Sequence, residues 1–593
     1  MADCRTPFSV WMQRCDGAKP FCAICVKANR ECKYEKPITR PVYLVLQERL
    51  AVLEERYQTL SEEAALSPFG FLESPAPSTD PVVANPPHNT ATEDLLEERS
   101  DEMAVALNRI SYRGEGRWYE AHALATPHRN FMINIFLQYH KSLHFYFHIP
   151  TFLKRLDSPN PADRPHPAFS EAMYLMACYF VSRGFSSGSH PLALEIPTGS
   201  GVELPRLTEL PQLEEYFLRR ARQALVDSLS FSDRLMDFLR GSVLVTLYLY
   251  LRGRFLEGYH IHCGAARLAL SCGLHRIESH VFEEITSGHI PSTGAPSIML
   301  LKPPTNQIDL AERITTFWMI YLCDKMSSVC AGFVGALPDE GSAIDAVRTV
   351  FPRRIEEYEA GTVTGIYNTS LTELFNATSR PSGNPLPDIP WTVTLKGLSL
   401  LDRATRLGAT FRLDPTDANI LAIRNLESAT TNFRSTLPPF TYFVIPTSSA
   451  LSMSYQDLGM FIGHTSSLGA LLEIHQTLVD IDENEYDARL ECAVDVAKLA
   501  RVAKDGGLVH SCLISAGYCW SLAVRVLVQH IESNYGAEPY AVDYESHLAD
   551  VVTALELLSI TFPALLHQFG QVQIALGRVR GLGSTFSAEA AEF

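Results

Sequence analysis

From Trp118 to Leu576 apolar residues recur at the three- and four-residue steps of an α-helix, and strand-like alternation with turn dipeptides is scarce. The periodicity predicts an all-α body over residues 119–580. Helices are expected at 214–230, 232–251, 255–272, 451–480, 486–503, 510–533 and 547–558. Gly273 stands in the C′ position after 255–272. Asp309-Leu-Ala-Glu312 sets an N-cap residue three places before a glutamate, with Ile314, Phe317, Trp318, Tyr321 and Leu322 on one face. No fixed-period repeat is seen. Hydrophobic residues make up 46% of the chain and charged ones 20%, a balance that buries a core.

The ends of the chain differ from this body. Residues 1–40 carry eight basic side chains against four acidic ones, a net +4 that leaves −21 for the rest of a chain of net charge −17. A small basic head on a large acidic body suits a tethered DNA reader, not a protein that coats nucleic acid over its whole surface. Tyr43, Leu46, Leu50, Leu53, Tyr57 and Leu60 alternate in steps of three and four, which predicts a short coiled coil over 43–64. If Tyr43, Leu50 and Tyr57 are a positions, Arg49 at g faces Glu54 at the following e across a parallel dimer. An amphipathic helix packed on its own domain is the alternative. Residues 65–118, rich in Pro, Ser, Thr and Asn and then in charge, read as a flexible linker.

No apolar run reaches the roughly 18–20 residues of a membrane span, and no leader pattern opens the chain, so the expectation is cytosol or nucleus and no membrane partner. In that reducing setting the 13 cysteines are expected as thiols or metal ligands. Five lie within the first 32 residues, and Cys15, Cys22, Cys25 and Cys32 are separated by x6, x2 and x6. A C-x2-C pair delivers two thiolates from one turn, and zinc takes four soft ligands in a tetrahedron. Residues 1–36 therefore read as a Cys-rich zinc module, with basic residues from Lys19 to Lys33 offsetting the negative charge of zinc thiolates.

With its Asp16-Gly17, Lys19-Pro20 and Cys22-x2-Cys25 elements, this segment closely resembles the second half of the fungal Zn2Cys6 binuclear cluster. The resemblance implies that Cys15 is the third cysteine of that cluster and Cys22, Cys25 and Cys32 the fourth to sixth. It implies DNA contacts from Arg14, Lys19, Lys27 and Arg30, CGG-type half-sites, and dimerisation through Leu46, Leu50, Leu53, Tyr57 and Leu60. The first two cysteines should stand at positions 5 and 8, which are Arg5 and Phe8. Zinc is then expected on Cys22, Cys25 and Cys32 with Cys15 or Cys4. The stretch from Met1 to Gln13 reads as sequence foreign to the cluster, a misassigned first exon, with a degenerate cluster as its rival.

The body is similar to the fungal-specific transcription factor domain at 139–152, at 248–273 and at 312–335 with Phe317-Trp318 and Asp324. Together these resemblances imply a nuclear, zinc-dependent, sequence-specific regulator of RNA polymerase II genes. It would bind double-stranded DNA as a homodimer and engage the transcription machinery through a large helical regulatory domain. A co-regulator that keeps the helical domain without reading DNA is the alternative. An enzyme is not expected, since no G-x-S-x-G, P-loop or Rossmann fingerprint occurs.

Three further features favour structural readings. Asp324 and Arg267 sit on apolar helical faces, where each needs a buried partner. His140, His144 and His148 are spaced for one helix face, and an aromatic core outweighs a metal site. The acidic run from Asp480 to Asp487 reads as a polar loop between helices rather than a magnesium site.

Overall fold

The computed structural model describes residues 117–183, 204–287, 300–337, 346–363, 369–376, 387–439, 455–509, 512–534, 543–562 and parts of 565–577. The chain divides into two units, Met1–Ala104 and Val105–Phe593, and every described residue belongs to the second. Among the described residues the regular structure is entirely helical, as the periodicity predicts.

The first helices are α1 (Thr126–Tyr139), α2 (Ile149–Leu156), α3 (Pro167–Ser182), α4 (Glu214–Phe231), α5 (Leu235–Leu251), α6 (Phe255–Ser271) and the short α7 (Phe282–Ser287). They lead into the longest, α8 (Gln307–Ala331). Two short pieces, α9 (Ile355–Glu359) and α10 (Leu371–Phe375), precede α11 (Pro390–Leu413), α12 (Asp417–Ser435) and α13 (Tyr455–Leu478). The described helices close with α14 (Asn484–Asp505), α15 (Ile514–Ser533) and α16 (Tyr544–Thr561).

Helices α3, α5 and α8 are buried on nearly every side, which is what an almost unbroken apolar composition requires. Contact pairs set their directions. Gly241 of α5 packs on the Ala168 carbonyl of α3, and Tyr248 packs on Tyr179 with ring centroids 6.1 Å apart, so the two helices are parallel. Met319 of α8 and Trp391 of α11 both meet Tyr146, and Lys325 meets Asp402 further along, so α8 and α11 are parallel too. The returns run the other way: Tyr174 of α3 meets Phe217 of α4, while Glu171 meets Arg220.

Helices α11 and α13 also approach closely. A Cβ on Gly459 would lie 2.6 Å from the Pro390 carbonyl oxygen, and one on Gly463 would lie 2.3 Å from Val393 Cγ1. Only glycine admits that spacing. Thr394 Oγ1 donates to the Gly459 carbonyl across the seam at 3.2 Å.

Helix ends follow local chemistry. His148 and His166 cap α2 and α3 by accepting from Thr151 N and Ala168 N, with Pro150 and Pro167 in the first turns. Gly273 takes the left-handed C′ conformation expected of it (φ 75°). Several expected boundaries move. The cap of α8 is Asn306, whose Oδ1 accepts from Asp309 N at 2.9 Å, so Asp309 lies in the first turn. The helix expected from residue 232 begins at Leu235, because Ser232 and Arg234 turn the chain in the left-handed region (φ 51° and 44°). His140, His144 and His148 do not share a helix: His140 opens a 3-10 turn, His144 ends it in the left-handed region and His148 caps α2. Helices α1, α2, α3, α11 and α12 and the short α7, α9 and α10 were not among those expected.

Candidate functional site

Two buried ionic centres lie along α8, one at each half. In the N-terminal half Arg240 of α5 places Nη2 3.3 Å from Glu312 Oε1 and donates from Nε to Thr316 Oγ1. Asp237, one turn earlier on α5, receives both Nη groups of Arg155 at 3.0 and 2.6 Å and the His166 backbone N–H at 2.9 Å. The His148 N–H closes the ring on Glu312 at 3.1 Å. One network thus ties the start of α2, the start of α3, α5 and α8. Charges taken out of water this way hold only when such partners offset their desolvation.

In the C-terminal half Asp324 and Lys325 are adjacent and fully buried, with Lys325 Nζ 3.5 Å from Asp324 Oδ2, and each also holds a neighbouring helix. Asp324 Oδ1 lies 3.1 Å from His262 Nε2 of α6, and the carboxylate accepts the backbone N–H groups of Ala336 and Leu337 at 2.7 and 3.2 Å. A Cβ at Gly335 would meet Asp324 Oδ2 at 3.0 Å, so a larger residue there would crowd the carboxylate. Lys325 Nζ lies 3.3 Å from Asp402 Oδ2 of α11, donates to the Leu337 carbonyl at 3.1 Å and sits 4.9 Å from the Tyr321 ring centroid. Asp402 also receives Arg406, which reaches in from a half-exposed position. Burial opposes ionisation of Asp324, but the His262 hydrogen bond and the Lys325 charge outweigh it and hold its pKa below the ordinary carboxylate value.

This arrangement clamps rather than catalyses. Its groups point at one another and at backbone, and the neighbouring thiol of Cys323 is pushed up by burial, which leaves it protonated and inert. Among the described residues no group of three His, Cys, Asp or Glu side chains is placed to hold a metal ion.

The expected buried partner of Asp324 is present; that of Arg267 is not, because Arg267 is exposed at the surface of α6. Its neighbours in sequence are buried alanines, and the long side chain turns outward from them. His140 Nδ1–H donates to the Phe145 carbonyl at 2.6 Å inside an aromatic cluster with Phe136 and Phe147. His144 is buried and its pKa falls to about 4 through desolvation. The acidic run forms the α13–α14 turn only up to Glu483, its remainder opening α14 with Glu485 buried, and it is crossed by Arg424 of α12, which reaches Glu485 at 2.5 Å and Asp482 at 3.4 Å. Sequence reading missed Lys325, Asp402 and His262. The available signal was a charge inside an apolar run, as at Leu400-Leu401-Asp402.

The expected zinc ligands Cys4, Cys15, Cys22, Cys25 and Cys32, the expected DNA contacts Arg14, Lys19, Lys27 and Arg30, and the expected seam Leu46, Leu50, Leu53, Tyr57 and Leu60 all lie outside the described residues. No described helix is long and apolar enough to cross a membrane.

Comparison with curated proteins and with solved structures returns no match. Residues 133–339, from α1 through α8 to the backbone that covers Asp324, match the family model described as the fungal specific transcription factor domain, which indicates a fungal transcription regulator.

Proposed function

We propose that the chain is a nuclear, zinc-dependent, sequence-specific DNA-binding regulator of RNA polymerase II genes. The observation that carries this reading is the match of residues 133–339 to a transcription factor domain. It follows, in chain order, a C-x6-C-x2-C-x6-C run and a heptad seam. Cys22, Cys25 and Cys32, with Cys15 or Cys4, would hold zinc, which organises a small module that has no core of its own. Arg14, Lys19, Lys27 and Arg30 supply charge toward phosphate and base edges. Leu46, Leu50, Leu53, Tyr57 and Leu60 pair two copies, so that two heads address two half-sites while the helical body meets the transcription machinery.

The second reading, a co-regulator that does not read DNA, is favoured by Arg5 and Phe8, which stand where the resemblance implies cysteines. Zinc per chain and a band shift on CGG-containing duplex separate the two. Bound zinc with a shift that Cys22→Ser abolishes supports the first; a metal-free chain with no shift selects the second.

A further inference from the structure

At the end of the bundle where α11 passes into α12 and α13 into α14, three aliphatic side chains stand in solvent: Leu413 at 88% exposure, Leu421 at 62% and Ile481 at 53%. A chain of contacts places them together. Asn419 Nδ2 donates to the Asp414 carbonyl at 2.8 Å, joining the end of α11 to the first turn of α12. Leu421 lies one turn before Arg424 on α12. Arg424 binds Asp482, the residue after Ile481.

Carboxylates ring this apolar end. Asp414, Asp417, Asp480 and Glu483 are exposed and form no ion pair among the described residues. Of the cations nearby, Arg424 is committed to Glu427, Asp482 and Glu485 and Arg412 to Glu473 at 3.7 Å, while the buried Arg489 acts on Asp480 without a direct ion pair. Exposed aliphatics beside an excess of exposed carboxylates call for a partner with an apolar face flanked by cations. A second copy across a two-fold axis would set acidic rim against acidic rim, and nucleic acid or an anionic bilayer would be repelled.

We propose that this end of the bundle docks a cationic amphipathic helix of a partner protein. The helix lays its apolar face on Leu413, Leu421 and Ile481 and brings Lys or Arg to Asp414, Asp417, Asp480 and Glu483. Another exposed apolar group, Val226, Leu229 and Phe231 on α4, serves as the control.

The test is fluorescence anisotropy of a labelled amphipathic Leu/Lys peptide titrated with the full chain. Binding in the micromolar range that weakens with salt is expected, as suits a small interface. Leu413→Ser, Leu421→Ser and Ile481→Ser together should weaken it at least about tenfold. Asp414→Asn, Asp417→Asn, Asp480→Asn and Glu483→Gln together should flatten the salt dependence. Val226→Ser, Leu229→Ser and Phe231→Ser together should leave it unchanged. All these side chains are exposed, so each variant should keep the wild-type Tm. Unchanged binding in the first variant, equal loss in the α4 control, equal binding of a Leu/Glu peptide, or a wild-type dimer that the first variant dissolves would each overturn the proposal.

Discussion

Lys325 Nζ and Asp402 Oδ2 meet 3.3 Å apart between α8 and α11, both side chains fully buried. Residue 402 lies beyond the segment that matches the transcription factor domain, and residue 325 lies within it. Removing Asp402 leaves Lys325 to depend on Asp324, 3.5 Å away and already engaged by His262, in a dry interior. Asp402→Ala should therefore cost about 3–5 kcal/mol in urea unfolding. Combined with Lys325→Met the cost should fall well short of the sum, and additive single-site losses would contradict the pairing.

The pH dependence has a definite sign at His144. Burial holds its pKa at about 4 in the folded chain, against about 6.5 when unfolded. Below pH ~6.5 the unfolded chain takes up a proton that the native state refuses, so stability falls from there to about pH 4 and then levels off. The loss from this group is about 3 kcal/mol. His144→Asn keeps a residue suited to the left-handed backbone and cannot titrate. It should lower Tm at pH 7 through lost packing and yet show a shallower decline between pH 6.5 and 4.

Gly459 and Gly463 let α13 lie against α11. A methyl group at either position meets backbone or a β-branched side chain, and the helices must separate. Gly459→Ala or Gly463→Ala should destabilise by about 1–3 kcal/mol, read as a lower Tm in calorimetry.

Arg220 holds the strand of chain that precedes α1. Its guanidinium donates to the carbonyls of Tyr119, Ala121 and His122 while pairing with buried Glu171 at 2.6 Å. Arg220→Ala should speed amide hydrogen exchange across 118–125 more than anywhere in α8. Arg267→Ala, at an exposed site, should stay within about 0.5 kcal/mol of wild type.

The helical class was legible because burial on one or all sides of a helix leaves a period in the sequence. The seven expected helix ranges all correspond to helices. Starts were less legible: Asn306 caps α8 although Asp309 has the better local pattern, and Ser232 to Arg234 reverse the chain without a glycine. Helices α11 and α12 passed unmarked, α11 through its mixed Thr, Gly and Arg content. The buried charges were half legible. Asp324 announced its need for a partner, but which residue answers depends on which helices become neighbours, and neither His262 nor Asp402 carries a local sign of that. Arg267 shows the converse, since a fraction of a turn about a helix decides whether an arginine is interior or wet. The zinc module and coiled-coil seam rest on the sequence pattern, with the family match bearing on the body.

The covering of Asp324 by Ala336 and Leu337 has a practical corollary for anyone dividing this gene product. An expression fragment ended where the family match ends, at residue 339, would keep the loop that sits on the carboxylate and discard Asp402, Trp391 and the paired helices behind them. Its exposed seam would favour inclusion bodies over soluble protein. A boundary drawn past α16 respects the joinery of the molecule.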